Sequence, residues 1–176
     1  MQKLCMLFLM VITNSVVGQE ILPTVINFNI KAGQYEEFQA LTWKPKDTIC
    51  IATTLVSPNK GTEWWTLAGV TFLGEKEGEY ASIQLIDNRS ESQKPSLFYT
   101  TSVGGKENKF LIRENVEYGQ RIIYELRFSR TNEFDIYIDG GVGQLKSPFE
   151  FLKLKLGATS AKSIVEFNTA SCSQKN

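Results

Sequence analysis

Glu133, Asp135, Tyr137 and Asp139 stand at every second position of one short segment. In an extended strand successive side chains alternate between faces, so these four project together. Two carboxylates on one strand face are the equipment of a retaining glycosidase, where one protonates the leaving oxygen and the other attacks from about 5 Å away. The simpler use of the same pattern is a solvated strand face that ends in a turn aspartate. Trp64 and Trp65 are adjacent, so in a strand one faces a core and the other faces the surface or a covering loop. A surface tryptophan is a stacking platform for the apolar face of a sugar ring, with polar groups around it to fix orientation. Tyr137 offers a similar platform, and Glu133, Asp135 and Arg113 are suited to hydrogen-bond sugar hydroxyls. Trp43, just before Lys44-Pro45, is an aromatic of equally open role.

The chain contains no histidine. A Ser-His-Asp or Cys-His hydrolase is therefore excluded, as are a histidine-ligated zinc or copper site and a histidine pH switch. Asp47, Asp87, Asn88, Asp135 and Asp139 are oxygen donors of the kind calcium takes, but their spacing forms no EF-hand loop. No cofactor is expected, and calcium is the one metal these donors suit. Gly104-Gly105-Lys106 lacks the spacing of a phosphate-binding loop and reads as a turn.

The elements that must position these residues are strands. Ile26, Phe28 and Ile30 alternate with polar neighbours, as do Ile122, Tyr124, Leu126 and Phe128 with Ile123 the one exception, then Phe134, Ile136 and Ile138, then Leu152, Leu154 and Leu156. Each reads as a strand with one buried and one wet face. Residues 48–56, 64–73, 80–86, 97–103, 110–113 and 164–167 are apolar or β-branched runs of strand length. Between them lie Ser57 to Gly61, Gly74 to Gly78, Gly104-Gly105, Thr131-Asn132 and Asp139 to Gly141, all turn chemistry. Only Tyr35 to Leu41 is helix-like. The expectation is an all-β protein, a two-sheet antiparallel sandwich or jelly roll of about ten strands.

The chain opens with Lys3, an unbroken apolar run from Leu4 to Ile12, and small residues up to Gly18. That is the plan of a secretory signal peptide, with cleavage expected between Gly18 and Gln19. The run is about half the ~20 residues that a bilayer requires, and no other segment is long enough to span one. Residues 19–176 then form a single domain of ordinary size. The full chain has 19 basic and 19 acidic residues; losing Lys3 leaves 18 against 19. A balance this even gives no electrostatic reason to bind nucleic acid. Cys5 leaves with the leader, so Cys50 and Cys172 remain as either a disulfide or two buried thiols. Asn88-Arg89-Ser90 is a glycosylation sequon, in keeping with secretion.

The stretch Tyr124 to Gly141, YELRFSRTNEFDIYIDGG, resembles a hairpin recurrent in concanavalin A-like domains, the jelly rolls of laminin-G modules, pentraxins, lectins and glucanases. Phe134, Ile136, Tyr137, Ile138, Asp139 and Gly140 carry the match. Leu152 to Thr159, LKLKLGAT, is similar to the strand that follows in such domains, with Ile164 to Phe167 as a closing strand. The resemblance covers about the last third of the chain. It implies that the first and last strands lie side by side in one sheet, a layout with which a Cys50–Cys172 bond agrees. Laminarinase-type hydrolases of this fold carry a Glu-x-Asp-x-Glu strand. Here Glu133 and Asp135 match, but Tyr137 and Ile138 stand where the second glutamate belongs, so one catalytic carboxylate is missing.

The expected function is a secreted, non-catalytic, lectin-like module that binds carbohydrate through Trp64 or Trp65, Tyr137, Glu133, Asp135 and Arg113. Two alternatives stand beside it. One is a secreted structural or protein-interaction sandwich; the other is a polysaccharide-cleaving enzyme with an atypical site. The partners are accordingly a glycan or an extracellular protein.

Overall fold

β-Branched and aromatic residues at alternate positions favour extended backbone, because their side chains pack well on a pleated surface. The structure, a computed structural model describing residues 24–39, 44, 48–58, 65–87, 94–169 and 172, is built of strands throughout. In chain order these are β1 (Thr24–Asn29), β2 (Tyr35–Gln39), β3 (Ile49–Pro58), β4 (Thr66–Leu73), β5 (Tyr80–Asp87) and β6 (Ser96–Val103). There follow β7 (Lys106–Arg113), β8 (Arg121–Arg130), β9 (Glu133–Ile138), β10 (Gly141–Lys146), β11 (Lys153–Thr159) and β12 (Ala161–Asn168). Sheet A has the order β1-β12-β3-β8-β9-β10, and sheet B the order β2-β11-β4-β5-β6-β7. The neighbouring strands pair antiparallel.

Twelve described strands replace the expected ten. The helix-like segment from Tyr35 is strand β2, and every one of its residues is exposed. An edge strand need not bury alternate residues, so Tyr35 and Phe38 mimic helical spacing. The other unanticipated strand, β10, is the glycine-bearing run GVGQLK that follows the Asp139-Gly140 turn. That turn has φ of 51° and 78°, and the Gly104-Gly105 turn has 57° and 78°. Two successive positive φ values make the two-residue hairpin connection whose twist matches the strands it joins.

The chain changes sheets twice at one corner. β1 passes to β2 beside the point where β11 passes to β12 through Ser160. Gly33 N donates to Ser160 Oγ at 2.9 Å, and Ile30 N to the Ala161 carbonyl at 3.0 Å. β1 lies against β12, the side-by-side arrangement of first and last strands that the resemblance implied. Between the sheets Ile49, Ile51, Leu55, Val70, Ile83, Leu85, Leu126 and Leu156 are buried. An aromatic group caps one region of this core: the Phe72 and Phe151 ring centroids are 4.8 Å apart, and Phe128 and Phe134 pack beside them. Its aromatic members alternate with outward polar residues along β8 and β9, so core and surface are set by the same strands.

Cys50 and Cys172 form a disulfide, with Cα atoms 5.0 Å apart. Cys50 points out from β3, so the bond holds Cys172 against the outer face of sheet A. No helix among the described residues is long and apolar enough to cross a membrane. The expected leader, Trp43, Asp47, Trp64 and Asn88 lie outside the described residues.

Candidate functional site

Each sheet has an outer face, and the two differ in chemistry. On sheet A, the inward residues of β8 leave Arg121, Ile123, Glu125 and Arg127 facing out. On β9 the outward residues are Glu133, Asp135 and Tyr137. The β3–β8 and β8–β9 registers put Cys50, Glu125 and Tyr137 in one row. A groove of about 670 Å³ lies here, lined among others by Arg121, Ile123, Arg127, Tyr137, Asp139 and Cys172.

The polar groups of that groove are already engaged. Arg121 meets Glu166 through two hydrogen bonds, Nε to Oε1 at 2.6 Å and Nη2 to Oε2 at 2.8 Å. The Arg121 guanidinium holds the Glu166 carboxyl below the usual range. Arg127 donates to Glu125, and its guanidinium carbon stands 4.2 Å from the centre of the Tyr137 ring. Glu125, only 6% exposed, also accepts from Cys172 N at 2.7 Å. Glu133 accepts from Gln144 Nε2 at 3.2 Å and has Lys146 Nζ at 3.8 Å. Arg113, at the end of edge strand β7 of sheet B, pairs with Asp139 in the β9–β10 turn and ties the two sheets at their shared edge.

Sheet B presents a different surface. The inward residues are Leu154 and Leu156 on β11, Val70 on β4, Ile83 on β5 and Tyr99 on β6. Their neighbours therefore face out. Following the registers across the sheet gives a polar row: Gln39, Lys155, Thr71, Ser82, Thr100 and Lys109. Lys155 and Lys109 are four strand steps apart, about 19 Å at roughly 4.8 Å per step. The next row reads Glu37, Gly157, Gly69, Gln84, Phe98 and Leu111.

The middle of this face is little exposed to solvent. Ser82 is 2% exposed and Thr100 7%, although both point away from the core. Two glycines lie opposite one another at its floor. A Cβ at Gly69 would stand 2.2 Å from the Ile83 carbonyl oxygen, and one at Gly157 would stand 2.9 Å from the Tyr35 hydroxyl. No side chain fits at Gly69, and one at Gly157 would have to displace the tyrosine. Polar side chains ring the floor: Gln84 Nε2 donates to Thr71 Oγ1 at 3.4 Å, and Ser82 Oγ donates to Gln84 Oε1 at 3.3 Å. These are long bonds, so the groups keep capacity for other partners.

Trp65 precedes β4 and shares the outward parity of Leu67 and Gly69. It is 48% exposed. Lys109 Nζ lies 4.6 Å from its ring centre and 4.0 Å from that of Phe98, so the two rings bracket one ammonium. Burial lowers the Lys109 pKa, while nearby Glu107 works in the other direction. The carboxylates of the face are engaged. Lys155 bonds Glu37 and holds its carboxyl below the usual range, and Tyr35 also donates to it, at 2.9 Å. Tyr80 donates to Glu107, and burial, with that carboxylate, pushes the Tyr80 phenol up to about 12.

The residues picked out in the sequence thus divide. Trp65 is on the outer face of sheet B, whereas Glu133, Asp135 and Tyr137 share the outer face of sheet A; Arg113 is on the edge between them. The structure does not bring Trp65 together with the other four. Sequence reading missed Phe98, Lys109, Gln84, Ser82, Thr100, Thr71, Gly69 and Gly157. The signal that was available is the uncharged hydroxyl at the outward positions of three neighbouring strands, where charged residues are the ordinary choice. The calcium donors are also dispersed. Asp87 accepts from Tyr118, Asp139 is paired with Arg113, and Asp135 lies on sheet A. Among the described residues no group of three or more Asp, Glu or Cys side chains is placed to hold a metal ion.

No protein-family model and no curated protein matches the sequence. Solved structures do match by fold. The carbohydrate-binding module CBM66 from Bacillus subtilis superposes with a TM-score of 0.58 at 9% identity, covering 82% of this chain and 88% of that one. Galectin-1-L2 of Dario rerio gives 0.52 at 11% identity, with 75% and 96% covered. A native glycosidic hydrolase gives 0.52 at 11% identity, with 85% and 78% covered. The likeness is one of architecture: the chain shares the two-sheet jelly-roll sandwich fold of these structures.

Proposed function

We propose that the protein is a secreted, non-catalytic carbohydrate-binding module whose binding face is the outer surface of sheet B around Trp65. The observation that carries this reading is the exposed Trp65 ring on the same face as a row of uncharged hydrogen-bonding side chains, Thr71, Ser82, Gln84 and Thr100. A sugar offers an apolar C–H face and a rim of hydroxyls. The indole matches the first, and the hydroxyl and amide groups match the second. Neighbours of the same fold include a carbohydrate-binding module and a galectin, which supports the class of ligand. The Cys50–Cys172 bond supports an oxidising compartment outside the cell, in line with the signal peptide expected at residues 1–18.

The groove on sheet A supports this role less well. The Tyr137 ring is already faced by Arg127, which Glu125 fixes in turn. Displacing that guanidinium would break an ion pair, whereas moving Lys109 from Trp65 breaks no ion pair among the described residues. Binding of a glycan panel by wild type, Trp65→Ala and Tyr137→Ala tests the reading. Loss with Trp65→Ala and retention with Tyr137→Ala is the expected pattern. Absence of binding to every glycan, or full retention by Trp65→Ala, would overturn it.

A second reading, an extracellular protein-binding sandwich, is favoured by one feature. Edge strand β7 and its turn expose Val103, Phe110 and Leu111, apolar groups next to unpaired backbone donors and acceptors. A panel that binds no glycan would leave this edge as the main interaction surface.

A further inference from the structure

The two carboxylates of the sheet B face that flank the hydroxyl row each have an internal partner among the described residues. Glu37 is held by Lys155 and Tyr35, and Glu107 by Tyr80. Lys109 has no carboxylate within ion-pair distance among the described residues; its ammonium faces the rings of Trp65 and Phe98. Ring quadrupoles attract a cation, but they leave its three N–H donors without lone pairs of the kind a carboxylate supplies. The arrangement sets a cation with spare hydrogen-bonding capacity directly against the aromatic platform. A neutral sugar stacked on Trp65 would leave that ammonium beside it unmatched. A sugar bearing an anionic substituent would stack and pair at once.

Resting on the sheet B reading above, we propose that the preferred ligand is an acidic saccharide, a uronate or a sulfated sugar, whose anion is taken by Lys109 while its ring packs on Trp65. The hydroxyl row then runs from Lys109 across Thr100, Ser82 and Thr71 toward Lys155, so the acidic unit marks one end of the bound chain. Lys155 is occupied by Glu37, so of the two lysines in this row only Lys109 is without an ion pair among the described residues, and it alone stands against the rings of Trp65 and Phe98. A carboxylate and a sulfate offer the same chemistry to an ammonium, namely oxygen acceptors carrying full negative charge.

The test uses matched probes in which only the charge differs. Oligogalacturonate is compared with its methyl ester, and a sulfated galactan oligosaccharide with its desulfated form, by calorimetric titration at two salt concentrations. The expected result is about tenfold tighter binding of at least one charged member over its neutral partner, reduced at high salt. Lys109→Met should remove that preference while still binding the neutral member, and Lys109→Arg should restore it. Preference for the carboxylate pair alone assigns a uronate, and for the sulfate pair alone a sulfated sugar; both support the proposal. Equal binding of charged and neutral members by wild type, or an undiminished preference in Lys109→Met, would overturn the proposal while leaving glycan binding intact. Binding to no member of either pair or of a neutral glycan panel would overturn the underlying reading as well.

Discussion

On the outer face of sheet A, Arg121 grips Glu166 through two hydrogen bonds and Arg127 lies between Glu125 and the Tyr137 ring, with Cys172 stapled over the same row. On the outer face of sheet B, the corresponding positions carry threonine, serine and glutamine, and the lysine at the end of the row faces two aromatic rings without an ion pair among the described residues. Both faces belong to antiparallel sheets of six strands, so strand geometry does not distinguish them. What distinguishes them is how completely each face satisfies its own polar groups. A face whose charges are already matched gains little by exchanging partners, because a ligand must first break the existing pair. A face of weakly bonded hydroxyls gains on contact, because each long bond is replaced by a better one.

The strongest way to sharpen the contrast is to cut the staple on sheet A. Closing a loop of 122 residues contributes roughly 4–5 kcal/mol in the chain-entropy view. Cys50→Ser with Cys172→Ser should lower stability in urea unfolding by about that amount. Glycan affinity of the folded protein should stay unchanged, since Trp65 and the hydroxyl row lie on the other sheet. Lost affinity at full folding would place the binding surface on sheet A. Next in size is Gly69→Val. Its first added carbon would meet the Ile83 carbonyl oxygen at 2.2 Å, and overpacking of this kind costs about 3 kcal/mol. Thermal unfolding should show the loss, and the surviving folded fraction should bind sugar poorly because the floor is filled.

Smaller in free energy is the pair of aromatic truncations. Trp65→Ala should weaken glycan binding about thirtyfold, the ~2 kcal/mol of an anchoring aromatic, with little change in melting temperature. Tyr137→Ala should leave affinity within about twofold, since no anchoring contact is lost. Reversal of the two would exchange the roles of the faces. The smallest effect concerns acid. The Glu166 carboxyl is held below its ordinary 4.5 by Arg121, so its folded pKa is depressed. The stabilisation is then present above the unfolded pKa and is lost as pH falls through the folded one. Glu166→Gln should remove at most about 0.5–1 kcal/mol at neutral pH, because Arg121 is half exposed and the pair is screened. The variant's stability should also fall less steeply than wild type below about pH 4.5. An unchanged acid limb would show that the pair contributes nothing to face A.

Most of the sandwich was legible because its strands announce themselves locally. Ile122, Tyr124 and Leu126 alternate with Arg121, Ile123, Glu125 and Arg127, and Phe134 and Ile136 with Glu133, Asp135 and Tyr137; the structure turns the first of each set into the core and the second outward. The Asp139-Gly140 and Gly104-Gly105 turns were equally plain, since few residues other than glycine adopt positive φ freely. The strands that escaped notice, β2 and β10, are both edges. An edge strand with no fully buried residue carries no alternation to read. The site was legible only in part. Trp65 stood out by type, but Tyr137 and Asp135 stood out equally and belong to the opposite face.

Periodicity, turn chemistry and the absence of histidine were decided by the sequence alone, because each depends on a residue and its nearest neighbours. So was the exclusion of histidine chemistry, which no fold can restore. Which sheet each strand joined, and therefore which outward residues became neighbours, was decided by tertiary structure. Lys109 reaches Trp65 only because β5 and β6 bridge β4 and β7 in sheet B, a matter of long-range register that no local pattern encodes. Cys50 likewise found Cys172 across 122 residues through the placement of β3 beside β8 and β12, not through spacing.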